Sequence, residues 1–307
     1  MSVIYEVSMV AMNILASGTS GPIGGALLPA LTAAGHHVTR LVRRPPAEND
    51  EVQWDPAKPI APETVSGYDA VIHLAGETIV GHWDAKKKQR IRDSRISSTR
   101  NLSQALAQAA QKPRVLITAS AIGYYGNRGD EMLTENSRPG SNFLATVCRD
   151  WEAETKPAAE AGIRTVQLRI GVMLSMAGGA LKQMVTPFRF GLGGIIGNGK
   201  QYWSWVALED VVGAVQHALS HEGLSGPVNV VSPNPLTNID FTRGIAQVLR
   251  RPALFPLPVF AVRLFFGQMG EELLLASARV LPTKLEASGY KFRYPELKPA
   301  LVDILRQ

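Results

Sequence analysis

Only one cysteine, Cys148, occurs in the 307 residues. That excludes an intrachain disulfide and a cysteine-based metal cluster, and it fits a reducing, cytoplasmic compartment. Long hydrophobic runs are also missing: Val259 to Phe266 is broken by Arg263 and ended by Gly267, short of the roughly 20 residues a membrane-spanning helix needs. The opening MSVIYEVSMVAM lacks the basic start, continuous apolar stretch and small-residue cleavage site of a secretion signal, so residues 1–11 read as an extension before the first convincing strand. His36, His37, His73 and His82 show no ligand-like spacing with acids, and no metal site is expected. There is no internal repeat and no low-complexity stretch. The net charge of +6 is most concentrated in Lys86–Arg92, where Trp83 is the only aromatic nearby. A nucleic-acid surface would interleave aromatics with such cations or carry a known motif. The run reads instead as a solvated helix face, and neither a nucleic-acid nor a membrane partner is expected.

With 45% hydrophobic residues, the chain has enough apolar material for a large α/β core. Short β-branched runs at Asn13–Ser17, His37–Val42, Glu51–Trp54, Ala70–Ala75, Arg114–Ala119 and Arg164–Leu168 predict strands. Between them lie helical patterns at Ile23–Ala34, in a long stretch ending near Ala110, and from Phe143 to Ala161. Such alternation requires crossovers and gives a doubly wound parallel sheet, a Rossmann-type α/β fold. Beyond Gly171 come a glycine-rich stretch at Phe188–Gly199, aromatics at Tyr202–Trp205, a helix near Leu208–Ser220 and a strand at Val228–Val231. Helices at Phe241–Leu249, Val259–Phe266 and Glu271–Val280 then follow, separated by prolines and glycines. The expected division is a nucleotide-binding domain over 12–175, with 206–232 returning to its sheet. A smaller, mostly helical substrate part comprises 176–205 and 233–307.

The turn after the first strand reads Gly18-Thr19-Ser20-Gly21-Pro22-Ile23-Gly24. A pyrophosphate can approach main chain there only if no side chain intervenes, and a strand turning tightly into a helix needs permissive backbone angles. Glycines at three-residue spacing between an apolar strand and an amphipathic helix meet both needs, so the segment is expected to bind a dinucleotide. The second strand ends in Arg43-Arg44 with no acid before Glu48. An arginine there accommodates a ribose 2′-phosphate, which favours NADP over NAD. The fourth strand ends Leu74-Ala75-Gly76-Glu77, small residues where a nucleotide edge would cross the sheet.

Together with Ile117–Ser120, Tyr125-Gly126, Arg169, Gly171, Trp205-Val206 and Asp210, these residues resemble the extended short-chain dehydrogenase/reductase superfamily. More narrowly, LAGE at 74–77, Ser94-Arg95, GYYG at 123–126, Trp151-Glu152, PFRFGLGGIIGNGKQYWSW at 187–205 and the closing Tyr294-Pro295-Glu296-Leu297 are similar to the epimerase-family group of the human short-chain member 39U. The resemblance runs from Met12 to the end. It implies NADP contacts at Arg43, Leu74, Ala75 and Arg95, in addition to the glycine loop.

It also implies a tyrosine and, four residues later, a lysine whose charge lowers the phenol's pKa for proton exchange while the nicotinamide moves a hydride. Aligned through Glu152, the two positions hold Leu144 and Cys148, on an apolar stripe with Phe143, Val147 and Trp151. Neither can do that chemistry. Ser120, Tyr124 and Tyr125 are the remaining catalytic candidates; Ala121 competes with Ser120 for the family's serine position. On the substrate side, Arg189 and Lys200 are candidates for an anionic group, with Gln201, Tyr202 and Trp203 beside them. The expectation is an NADP-dependent oxidoreductase or nucleotide-sugar-epimerase-like enzyme acting on a small molecule, with a homodimer as a candidate assembly. The competing expectation is an NADP-binding regulator or scaffold without catalysis.

Overall fold

The computed structural model describes residues 11–306; the proposed extension at 1–11 falls almost wholly outside them. Seven strands form the central sheet: β1 (Asn13–Ser17), β2 (His37–Val42), β3 (Glu51–Gln53), β4 (Ala70–His73), β5 (Val115–Ala121), β6 (Arg164–Ile170) and β7 (Gly226–Val230). Their order is β7-β6-β5-β4-β1-β2-β3, and every pairing is parallel. Both faces are covered, which is why β4 is buried at every residue and reads as an unbroken apolar run with a histidine at its end. One face packs Leu27 and Leu31 of α1 (Pro22–Ala33) and Val211 and Val215 of α6 (Leu208–Ser220). The other packs Leu102 and Leu106 of α2 (Ala85–Gln108). This is the expected doubly wound sheet.

The helix expected over 143–161 is two helices, α3 (Phe143–Ala153) and α4 (Lys156–Glu160). Pro157 has no N–H to continue the ladder, and the Thr155 hydroxyl bonds to the Glu152 carbonyl at the break. A second core joins Phe188 of α5 (Ala180–Arg189), Phe241 of α7 (Asn238–Leu249) and Leu301 of α10 (Leu297–Arg306) around Trp203 and Trp205. Helix α5 lies in a region the sequence pattern left unassigned. After α8 (Val259–Gly270), the helix expected over 271–280 is a single π-turn, Glu271–Leu275, followed by extended chain. Tertiary pairing overrides the leucine-rich pattern: Arg279-Val280 pair with Met132-Leu133, and the Ser204 hydroxyl bonds to Val280 N and Ala278 O. The short α9 (Thr283–Ala287) follows Pro282.

Candidate functional site

β1 and β4 are neighbours in the sheet, and the strand order reverses between them, so their carboxyl ends open the crevice where doubly wound folds bind ligands. The glycine loop leaves β1 at that point. Gly18 has φ +73, and a Cβ there would lie 2.5 Å from the Leu74 carbonyl carbon, so the loop abuts the segment after β4. A Cβ on Gly24 would meet Thr19 Cα at 2.4 Å, fixing how closely helix and turn pack. Gly21 differs: φ is −79, and a Cβ would meet only Gly18 O, at 3.4 Å. Its open side faces no protein atom. Gly21 begins α1, whose N-terminus has no side-chain cap and no acid in its first turn, leaving partial positive charge for an anion. Beneath the loop, His73 is fully buried between the hydroxyls of Ser17 (2.6 Å) and Ser98 (3.1 Å), and burial lowers its pKa to about 4.

The cationic candidates separate. Arg44 is held by Glu51 in a bidentate pair of 2.8 and 2.6 Å, a contact that pulls Glu51 down to about pKa 2. It braces β3, with both terminal nitrogens engaged by protein acceptors. Arg43 is exposed at the end of β2 and has no salt-bridge partner among the described residues. Glu77 is also tied to the protein: its carboxylate accepts from Lys87 Nζ at 2.7 Å, and its N–H donates to Ser94 Oγ, so it fastens the loop to α2. Those ties hold Arg95 over Gly76 and 5.3 Å from the Trp151 ring. Burial lowers the Arg95 pKa, and its one hydrogen bond within the described residues is to the Ile91 carbonyl, with no carboxylate bound. A half-buried guanidinium without a bound carboxylate suits an anionic ligand. The cradle and these two arginines thus suit a phosphate-rich cofactor.

At the ends of β5 and β6, adjacent in register, stand Ser120 and Arg169. The Ser120 hydroxyl donates to Glu152 at 2.6 Å, and Arg169 grips the same carboxylate with two bonds of 2.8 Å. Arg169 also donates to the Tyr125 hydroxyl, which donates in turn to Asn229 Oδ1 at 2.6 Å. Burial raises Tyr125 to about pKa 12. Ser120 and Tyr125 thus belong to a buried network that locks the strand ends together, and in this structure their hydroxyls are engaged by protein partners. Glu152, Arg169 and Asn229 were quoted or passed over without this role, because they meet only in three dimensions. Tyr124 remains half-buried, its ring under the Arg169 guanidinium at 3.4 Å. Leu144 and Cys148 are buried against Gly123, and desolvation, then Glu152, pushes the Cys148 thiol to about pKa 12. From the far end of the chain, Glu272 caps α3 by accepting from Leu144 N at 2.9 Å and Phe143 N at 3.3 Å.

The substrate-side candidates do not converge. Trp203 is buried against Phe241, and Gln201 is buried with its amide donating to the Ile196 and Leu274 carbonyls, so in this structure both face the core. Arg189 and Lys200 are exposed. Tyr202 is half-buried, and above its ring, at 4.9 Å, lies the guanidinium of Arg279, whose Nε is buried without a partner. Arg279 was missed because it stood within the expected helix 271–280. No group of three or more potential metal ligands occurs among the described residues, and none of their helices is long and apolar enough to cross a membrane.

Residues 14–231 match the model of the NAD dependent epimerase/dehydratase family, and residues 257–304 match a domain of unknown function, DUF1731. Epimerase family protein Mb2239 of Mycobacterium bovis is 45% identical over 287 residues, covering 93% of this chain and 95% of that protein. The crystal structure of human epimerase family protein SDR39U1 with NADPH superposes with a TM-score of 0.89 at 33% identity, covering 96% of this chain and all of the other. A Corynebacterium glutamicum structure described as a nucleoside-diphosphate sugar epimerase gives a TM-score of 0.81 at 37% identity, over 96% of this chain and 58% of that one. A glycine cradle at the sheet's switch point, matched along the chain by these relatives, makes this protein a member of the NAD dependent epimerase/dehydratase family, within the extended short-chain dehydrogenase/reductase group of SDR39U1.

Proposed function

We propose that the protein binds NADP and uses it to exchange a hydride with a small hydroxyl or carbonyl compound. The observation that carries this reading is the pair of uncommitted guanidiniums at the cradle, Arg43 and Arg95, beside a helix N-terminus with no anion of its own. In this reading the main chain of Gly18–Gly24 takes the pyrophosphate, Arg43 the 2′-phosphate, and Leu74, Ala75 and Gly76 line the nucleotide's path. Arg95 supplies a fixed cation where the cofactor's anionic groups come closest to α2. The NADPH bound to human SDR39U1 supports this choice of cofactor.

The cofactor supplies the hydride when bound; the chain must manage the proton. Tyr124 is the candidate, held by Arg169 and the only one of the three sequence candidates whose hydroxyl has no protein partner among the described residues. Arg279 and Tyr202 replace Trp203 and Gln201 on the substrate side, a cation over an aromatic ring that suits an anionic, ring-bearing substrate such as a nucleotide sugar. In this reading 12–175 and 206–232 serve the cofactor and 176–205 and 233–307 the substrate; the two main cores straddle that division, Leu285 packing in the sheet core and Leu174 and Ala207 in the second. A cytoplasmic homodimer is part of the same proposal.

A second reading, a cofactor-binding regulator, is favoured by the apolar wall of Leu144 and Cys148 where a proton-transfer pair would stand. Calorimetric titration with NADPH and NADH, on wild type and Arg43→Ala, comes first, followed by absorbance screening of carbonyls and nucleotide sugars. Turnover abolished by Tyr124→Phe supports the enzyme. Tight NADPH binding without turnover supports the regulator, and no binding of either cofactor refutes both.

A further inference from the structure

Exposed large hydrophobic side chains are not scattered over this protein. Of eleven among the described residues, nine fall in two stretches, 190–192 and 254–266. Phe190, Leu254, Phe260, Leu264 and Phe265 are each more than 70% exposed, far beyond the isolated leucines that any surface tolerates. The stretches lie side by side: Phe255 N donates to Gly193 O at 3.2 Å, and Leu257 N to Ile195 O at 2.8 Å. Helix α8 continues the surface, burying Ala261 and Val262 while turning its phenylalanines outward. An amphipathic helix normally hides its apolar side in the core; this one displays much of it.

The charge around the patch is mostly of one sign. Residues 171–208 and 241–270 contain no aspartate or glutamate at all, although the whole chain has 26. They do contain Lys182, Arg189, Lys200, Arg243, Arg250, Arg251 and Arg263, all exposed. Among the described residues two of these seven have a salt-bridge partner, Arg243 with Asp240 at 3.9 Å and Arg263 with Glu271 at 2.8 Å. An apolar centre within a predominantly cationic rim matches one partner best. A second copy meeting this face would bring two cationic rims together, whereas an anionic bilayer presents negative headgroups to the arginines and hydrocarbon to the phenylalanines.

We infer that this face docks the protein on an anionic lipid bilayer, with α8 lying in the interface and the arginines on headgroup phosphates. The sequence expectation was of no membrane partner, and this inference departs from it; among the described residues no helix is long and apolar enough to cross a membrane, so the contact is with one face of the bilayer. The inference does not depend on the proposed chemistry, since neither stretch belongs to the cofactor cradle.

The test is co-sedimentation of the full chain with large vesicles of phosphatidylcholine alone or mixed with phosphatidylglycerol, at low and high salt. Binding to mixed vesicles is expected, with partition at least about tenfold weaker on phosphatidylcholine and reduced by salt. Arg189→Gln with Arg251→Gln should weaken it by roughly 25-fold, about fivefold per charge. Phe260→Ser/Leu264→Ser/Phe265→Ser should abolish it while leaving the circular dichroism spectrum and NADPH titration unchanged. Absence of binding to mixed vesicles overturns the inference, as does binding that survives the triple substitution. A concentration-dependent dimer that the triple variant dissociates would also overturn it, because the patch would then be a contact between copies.

Discussion

Gly18 and Gly21 belong to one motif and predict opposite outcomes when each is replaced by alanine. At Gly18 the new methyl would stand 2.5 Å from the Leu74 carbonyl carbon and 2.6 Å from Ala75 N, at a φ of +73. The left-handed backbone costs about 1–2 kcal/mol and the forced displacement about 1–3 kcal/mol, so Gly18→Ala should lose roughly 2–5 kcal/mol of folding stability. At Gly21 the backbone is extended and the methyl would meet only Gly18 O at 3.4 Å. Alanine is a poorer helix start than glycine by several tenths of a kcal/mol and stiffens the unfolded chain by a similar amount, leaving a net change within about 0.5 kcal/mol. Yet that methyl projects into the space where a pyrophosphate would rest, and NADPH affinity should fall at least about 100-fold, about 2.7 kcal/mol. Urea unfolding of the apo proteins and calorimetric titration of the folded ones separate the two effects. NADPH binding undisturbed in Gly21→Ala would refute the placement of the cofactor, and an unchanged urea midpoint in Gly18→Ala would refute the close approach of loop to β4.

Other outcomes follow from groups already described. His73 is held neutral in the fold, with a pKa lowered from 6.5 to about 4, so between those values the unfolded chain binds a proton that the folded one refuses. Stability should therefore fall as pH drops from about 6.5 towards 4, by roughly 3 kcal/mol in total, and urea midpoints of His73→Gln should lack that component. Glu152→Ala leaves the buried Arg169 without its carboxylate and should cost about 3–5 kcal/mol by the same assay, whereas Glu152→Gln, which keeps the hydrogen-bonding shape, should cost less. Cys148 should resist a thiol reagent at pH 8 until the protein is unfolded; rapid labelling of the native state would contradict its burial and raised pKa.

The sheet was legible because burial on both faces imposes unbroken apolar strands and crossovers impose the intervening helices. The glycine loop was legible because its backbone demands are local. What escaped the sequence was set by distant partners. Val280 looked helical until its strand neighbour Leu133, 147 positions earlier, was in place. Arg43 and Arg44 are alike as letters, and only the position of Glu51 on β3 tells which one is occupied. Ser120 and Tyr125 carried the right functional groups for catalysis, but their hydroxyls point into a network whose other members, Glu152, Arg169 and Asn229, lie on three different elements. The absence of a tyrosine and a lysine at 144 and 148 was visible from spacing alone, whereas the cap that Glu272 places on that helix was not.

The half-buried Arg95 guanidinium lies near enough to Cys148 for its charge to favour the thiolate, against the stronger opposing pull of the Glu152 carboxylate. In this protein the cation of that region is carried by α2 and not by α3. Installing a lysine at 148 would set an ammonium beside a guanidinium in a poorly solvated pocket, where two like charges repel far more strongly than in water. A designer seeking to restore tyrosine–lysine chemistry here would have to balance an ammonium at 148 between the Glu152 carboxylate, which favours it, and the Arg95 guanidinium, which opposes it.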